Sequence, residues 1–155
     1  SYADRFSRLG QELDVVRRLL HGEPVDGIDL TPWEATLGGP PVLIGSWTSG
    51  TWITRAATEF DGWIASGARG GGLAEGVARY RDAGGERAVL TNVTVDLDAV
   101  GGHDVPADEP FSLRCGPAEA RSRLRWAADL GFSDVVLRTD DHTPRTLDAI
   151  RRLVP

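Results

Sequence analysis

The stretch Pro41 to Gly67, PVLIGSWTSGTWITRAATEFDGWIASG, constrains the fold more than any other part of the chain. Pro41, Val42, Leu43 and Ile44 form a continuous apolar run, the pattern of a strand buried on both faces of a parallel sheet, and Gly45-Ser46 ends it. Trp52, Ile53, Ala56, Ala57 and Phe60 then recur at spacings of three and four, which places them on one helix face, with Thr48 or Ser49 expected as N-cap. Asp61-Gly62 breaks the helix and Trp63-Ile64-Ala65 reads as a second short strand. Two strands joined by one crossover helix run parallel, with a right-handed connection. The stretch is therefore a βαβ unit.

Around that unit, 155 residues with 41% hydrophobic content make one domain's worth of chain with a sizeable core. A net charge of -6, with 17 Lys and Arg spread along the chain, leaves no basic stripe for nucleic acid or an anionic membrane surface. Apolar runs stop short of a membrane span and no signal peptide opens the sequence, so a cytoplasmic protein is expected. The lone Cys115 has no disulfide partner and reads as a small buried apolar residue. The sequence holds no methionine and opens on Ser1, so it is expected to be a piece of a longer product.

In chain order, Phe6, Leu9, Leu13, Val16 and Leu20 keep helical spacing, with Ser1 at the N-cap position and His21-Gly22 as the stop. Glu23 to Pro40 is a loop rich in Pro, Gly and Asp, with Trp33 expected to anchor it. Beyond the βαβ unit, Leu73, Val77 and Tyr80 mark a helix that ends at Ala83-Gly84-Gly85. Arg87 to Leu97 is rich in β-branched residues and alternates, so it reads as a third strand, and Asp98 to Glu109 as a polar loop. Pro117 opens a helix that runs to Gly131, Ser133 to Leu137 is a fourth strand, and Thr143-Pro144 caps a last helix. One helix followed by four βα steps is what half of a (βα)8 TIM-type barrel looks like, an α/β fold.

The order of SYADRFSRLGQELDVVRRLLHGEPV, PPVLIGSW, AATEFDGWIASG and GPAEARSRLRWAADLGFSDVVL resembles the second half of the luciferase-like monooxygenase family, over nearly the whole chain. The resemblance implies strands five to eight of an eight-stranded barrel, with one helix before them. It also implies reduced FMN or a deazaflavin coenzyme, a small-molecule substrate, and monooxygenation or hydride transfer whose hard chemistry belongs to the cofactor. Segments matching strands one to four are absent. In the family they supply much of the isoalloxazine pocket, the usual catalytic histidines and most of the dimer surface, so catalysis is expected of a completed barrel.

Carried over residue by residue, the resemblance sets Ser1 and Tyr2 where family members bind the cofactor phosphate at a helix N-terminus; the alternative is an N-cap and a packed ring. Gly45, Ser46 and Trp47 end the strand that borders flavin or substrate, Trp47 either lining the cavity or plugging the core. Ser66, Gly67 and Arg69 follow the next strand, and Gly70-Gly71-Gly72 is either a phosphate cradle or a loose loop. Asn92 and Thr94 share one face of the third strand, inward if Val93 and Val95 face the helices. His142, beside Asp140 and Asp141 in the loop after the last strand, is either a base raised by its carboxylate neighbours or a solvated loop residue; His21 and His103 have weaker claims. No spacing suggests a metal site or a hydrolase elbow. Two classes follow: part of a flavin- or deazaflavin-dependent oxidoreductase, or a stand-alone half-barrel that self-associates through bare strand edges.

Overall fold

A computed structural model describes residues 2–48, 50–68, 71–99 and 110–153, with side chains from Asp4 onward. Ser1, Ser49, Arg69 and His103, and the side chain of Tyr2, lie outside what is described. The chain forms two compact units, Ser1–Pro41 and Val42–Pro155.

In the first unit, helix α1 (Tyr2–Leu20) carries Asp4 in its first turn and Arg17 and Arg18 in its last, each favourable to the helix dipole. The Gly38 amide donates to the Leu20 carbonyl at 2.8 Å, so the loop folds back to cap the helix end. Asp26 and Gly27 both have positive φ, of 50° and 80°, inside a two-residue turn closed by reciprocal bonds between Val25 and Ile28. Asp-Gly suits that turn because it demands left-handed backbone twice. The expectation for Trp33 fails: its side chain is 81% exposed. What anchors the loop is Val25, which is buried, while the carbonyl of Trp33 accepts the Thr36 amide and hydroxyl in a 3-10 turn at Glu34–Thr36.

The second unit is a parallel α/β assembly. Its strands are β1 (Leu43–Gly45), β2 (Gly62–Ser66), β3 (Ala88–Asp96), β4 (Leu113–Arg114) and β5 (Asp134–Arg138). Its helices are α2 (Trp52–Glu59), α3 (Leu73–Asp82), α4 (Pro117–Leu130) and α5 (Pro144–Arg151). β1 pairs with β2, β2 with β3, and β3 with both β4 and β5, every pair parallel. The four strands read from sequence are thus neighbours in chain order, pointing the same way. β4 was not anticipated, because two residues carry no period. It pairs where β3 runs on past the end of β2, Val95 against Leu113 and Asp96 against Arg114.

Register sorts the side chains into two faces. Ile44, Trp63, Ala88, Ala65, Leu90, Val93, Val95 and Leu113 fall on one, and each is buried. That face is where the helices pack. Trp63 has its ring 5.8 Å from Tyr80 of α3 and stacks at 6.2 Å on Phe132, the residue that follows the α4 stop at Gly131. Helix α2 buries Trp52, Ile53 and Ala56 and lies beside α3. The apolar spacing along Pro41 to Gly67 has done what it predicts: two strands and one helix meet through a shared dry face, each buried aromatic contributing about 2–3 kcal/mol of transfer free energy.

The opposite face is more open. Leu43, Ile64, Ser66, Thr91 and Thr94 are half-buried there and Val136 is 51% exposed, although Val89 at its centre is buried. Parallel sheets are normally covered on both faces.

Arg81 fastens the lower, amino-terminal edge of the sheet. Its guanidinium donates to the carbonyls of Gly85, Glu86 and Gly131 and to the Ser133 hydroxyl, so one cation ties the ends of α3 and α4 to the starts of β3 and β5.

Candidate binding rim at the carboxyl ends of the strands

Because β1, β2, β3 and β5 are parallel, their carboxyl ends share one rim, the edge where ligands gather in α/β sheets. Gly45 and Ser66 lie on the open face and Asn92 is exposed on β3. The space where a Gly45 side chain would stand is empty of other atoms within 4 Å.

Asn92 is held in an unusual backbone state. Its φ is +59°, in the left-handed region, where a non-glycine residue is uncommon and asparagine is tolerated best. The cause lies in the pairing of β3 with β5. Leu90 opposes Val135 and Val93 opposes Leu137, so Thr91 and Asn92 together face the single residue Val136. This is a bulge, and it re-aims the side chain of the extra residue. The Asn92 carboxamide nitrogen donates to the Ser66 hydroxyl at 3.1 Å, with Thr91 Oγ1 further off at 3.5 Å. Thr91 in turn donates its hydroxyl to the Ala65 carbonyl at 3.0 Å, and the Gly67 amide donates to the Thr91 carbonyl at 2.8 Å. Any side chain at Gly67 would come within 3.2 Å of the Phe111 carbonyl, so the backbone of the segment leading into β4 closes tightly on this corner. The expectation that Val93 and Val95 turn to the helices holds, and Thr94 lies on the other face with Ser66.

Ser46 takes a different direction. Its hydroxyl accepts the indole N–H of Trp63 at 3.0 Å, and Trp63 has no exposure, so the Ser46 oxygen serves the helix-covered core. Trp47 is 46% exposed, and its carbonyl accepts from the Gly50 amide.

His142 is not joined to the Ser66 and Asn92 pair. It is exposed in the turn after β5, and the carboxylate beside it is otherwise occupied. Asp141 accepts the Thr143 amide at 2.9 Å on one oxygen and the Thr143 and Thr146 hydroxyls on the other. Thr143 itself caps α5, its hydroxyl accepting the Thr146 amide. The hydrogen bond from Thr146, then that from the Thr143 amide, hold the Asp141 carboxyl below its ordinary range; the nearby imidazole adds a smaller pull. Asp141 is therefore part of a helix-start device, while Asp140, the other acidic residue before His142, lies 3.9 Å from the Arg138 guanidinium. Of the paired residues at the rim, Thr91 and the bulge were not anticipated. An asparagine inside a β-branched run, where it is depleted, was the available signal.

Cys115 is buried as expected, and burial pushes its thiol up against the opposing pull of the Arg123 guanidinium. Among the described residues no group of three or more His, Cys, Asp or Glu side chains could hold a metal ion, and no helix is long and apolar enough to cross a membrane.

The chain matches no family model and no curated protein.

Proposed function

We propose that the second unit is the later half of a (βα)8 barrel in a cytoplasmic flavin- or deazaflavin-dependent oxidoreductase of the luciferase-like monooxygenase class. One observation carries the reading. β1, β2, β3 and β5 neighbour one another in chain order without reversal, the two-residue β4 pairing only with the far end of β3, and α2, α3 and α4 line up on one face of the sheet. In a doubly wound sheet the order reverses at a switch point and helices occupy both faces. A singly wound sheet keeps its helices outside and turns its other face toward a barrel interior. On the half-open face Leu43, Ile64 and Val89 stand toward the amino-terminal edge and Ser66, Thr91 and Thr94 toward the carboxyl-terminal one, with Val136 level with Thr91 and the charged Asp134 and Arg138 at the two ends of β5, and such a face suits a barrel interior with a polar mouth.

In this reading the cofactor is FMN or a deazaflavin coenzyme, with Gly45, Ser46 and Trp47 of the second unit beside its ring. The substrate-side residues are Ser66, Arg69 and Asn92, with His142 a weak candidate base. The cofactor supplies hydride or oxygen-transfer chemistry; these side chains bind, orient and exclude water. The test is to titrate FMN and a deazaflavin separately into the protein expressed from its whole reading frame, following the visible spectrum. Saturable one-to-one binding of either is expected. If neither binds, the oxidoreductase reading fails.

A second reading is a stand-alone half-barrel that completes itself with another copy. It is favoured by the bareness of β1 and β5, each of which pairs with only one neighbour among the described residues. Exposed strand edges recruit further strands. Light scattering of the chain alone decides this: a dimer is expected, and a stable monomer refutes it.

A further inference from the structure

We infer that Ser66 and Asn92 together read one edge of the small-molecule substrate, and that this edge is a cis amide. By that we mean an N–H and a C=O side by side, as in a lactam, a cyclic imide or a pyrimidinedione. The inference rests on the reading above, in which the carboxyl rim is the working end of the unit.

Position is the first argument. Asn92 is exposed, yet it lies in a strand whose neighbouring Leu90 and Val93 have no exposure. The bulge that lifts it out sets it in left-handed backbone, a conformation that persists only where its surroundings demand it and that gathers at ligand sites. Glycine would meet that backbone demand with less strain, so the carboxamide is a separate feature.

Hydrogen-bond accounting gives the chemistry. A hydroxyl offers one proton and two lone pairs; a carboxamide offers two N–H groups and one carbonyl oxygen. With the Asn92 nitrogen turned toward Ser66, as it stands, the amide oxygen and the Ser66 proton remain unused. With the amide turned over, the Ser66 proton is engaged, and what remains is a hydroxyl lone pair and the amide N–H groups. Either arrangement leaves at least one donor and one acceptor between the two side chains, the second Asn92 N–H standing 3.5 Å from Thr91 Oγ1 in the arrangement observed. The surrounding groups are occupied: Thr91 Oγ1 is bound to Ala65, and the Gly67 amide to Thr91. A donor and an acceptor side by side are complementary to a cis amide. A site built this way discriminates strongly against an analogue that lacks the N–H, because its own polar group is then left unpaired.

The test uses the full chain and no flavin. Succinimide and N-methylsuccinimide are titrated in turn while amide resonances are followed by two-dimensional NMR. Succinimide is expected to give saturable shifts at the Asn92 side-chain amide and at Ser66. N-methylsuccinimide should bind about tenfold more weakly, the weight of one hydrogen bond. Asn92→Gly should lose a similar factor while melting no lower than the parent, which separates recognition from folding. Equal affinity for the two imides, undiminished binding by Asn92→Gly, or no saturable shift at either residue each overturns the inference. Because no flavin is present, these outcomes leave the oxidoreductase reading standing. If the imide result holds and the flavin titration fails, that reading falls and the pair remains as a binding site.

Discussion

Ser46 ends the strand that the family resemblance places beside the flavin, yet its oxygen is bound to the indole of Trp63, and a double-mutant cycle decides which role it has. Ser46→Ala leaves an indole N–H without its partner at a residue with no exposure. An unsatisfied buried donor costs about 1–3 kcal/mol. Ser46 itself is half-buried, so water can reach part of the gap and the lower half of that range applies. For a chain of this length each kcal/mol moves the melting temperature by about 2–4 °C, giving an expected drop of roughly 2 to 8 °C. Trp63→Phe removes the donor and some of the ring that packs on Tyr80 and Phe132, at about 2 kcal/mol. Once the donor is gone, replacing Ser46 should cost no more than about 0.5 kcal/mol, as at an ordinary half-exposed position. Urea unfolding of the four proteins, followed by far-ultraviolet circular dichroism, should therefore show a coupling of about 1 kcal/mol. If the two substitutions add to within about 0.3 kcal/mol, the hydrogen bond contributes nothing to stability and Ser46 is available to a ligand after all.

Three further perturbations test other parts of the argument. Arg81→Met should cost about 2–3 kcal/mol, since hydrogen bonds from a charged donor to four acceptors, in the segments joining α3 to β3 and α4 to β5, are lost together; Arg81→Lys should recover less than half, lacking the guanidinium fork. A Met variant as stable as the parent in urea would show that the cation does not join these elements. Gly85→Ala would drive its new carbon into the Tyr80 ring, so a loss of about 1–3 kcal/mol is expected, and unchanged stability would place that ring elsewhere. Asp141 has a folded-state pKa below its ordinary value, so its contribution is complete above the unfolded carboxyl range near about 4 and is lost as pH falls through the depressed value. Carboxyl carbon NMR should find its titration moved up toward the ordinary range in Thr146→Ala, and an unmoved titration would remove Thr146 as the main cause.

The order and direction of the strands were legible because periodicity carries them. Val42 to Ile44, Trp63 to Ala65, Arg87 to Leu97 and Ser133 to Leu137 are apolar runs spaced by helical segments, and the crossover rule turns that alternation into parallel neighbours. Both ends of α4 were legible for the same kind of reason: Pro117 fits the first turn, and Gly131 takes φ of 109° at the stop. Trp33 was misread because a large apolar ring in a loop promises an anchor, whereas only packing decides whether one forms, and here Val25 provides it. The direction of Ser46 was also illegible. It depends on the indole of Trp63, seventeen residues away in sequence but on the neighbouring strand, and no local pattern encodes that pairing.

Asn92 shows where local reading stops and topology begins. Alternation along RAVLTNVTVDL predicts an unbroken strand with Asn92 and Thr94 on one side, and Thr94 does lie on the open face. β3, however, pairs with β2 only as far as Thr91, with β4 from Val95, and with β5 on either side of Thr91 and Asn92. A strand that changes partners along its length needs extra chain at the change, and the bulge supplies it. The residue there must accept left-handed backbone, which narrows the choice to glycine, asparagine or aspartate. Backbone strain alone favours glycine among these three. Asparagine adds what glycine cannot, a cross-strand hydrogen bond to Ser66 at the open mouth of the sheet, and the imide titration tests whether a ligand uses it as well.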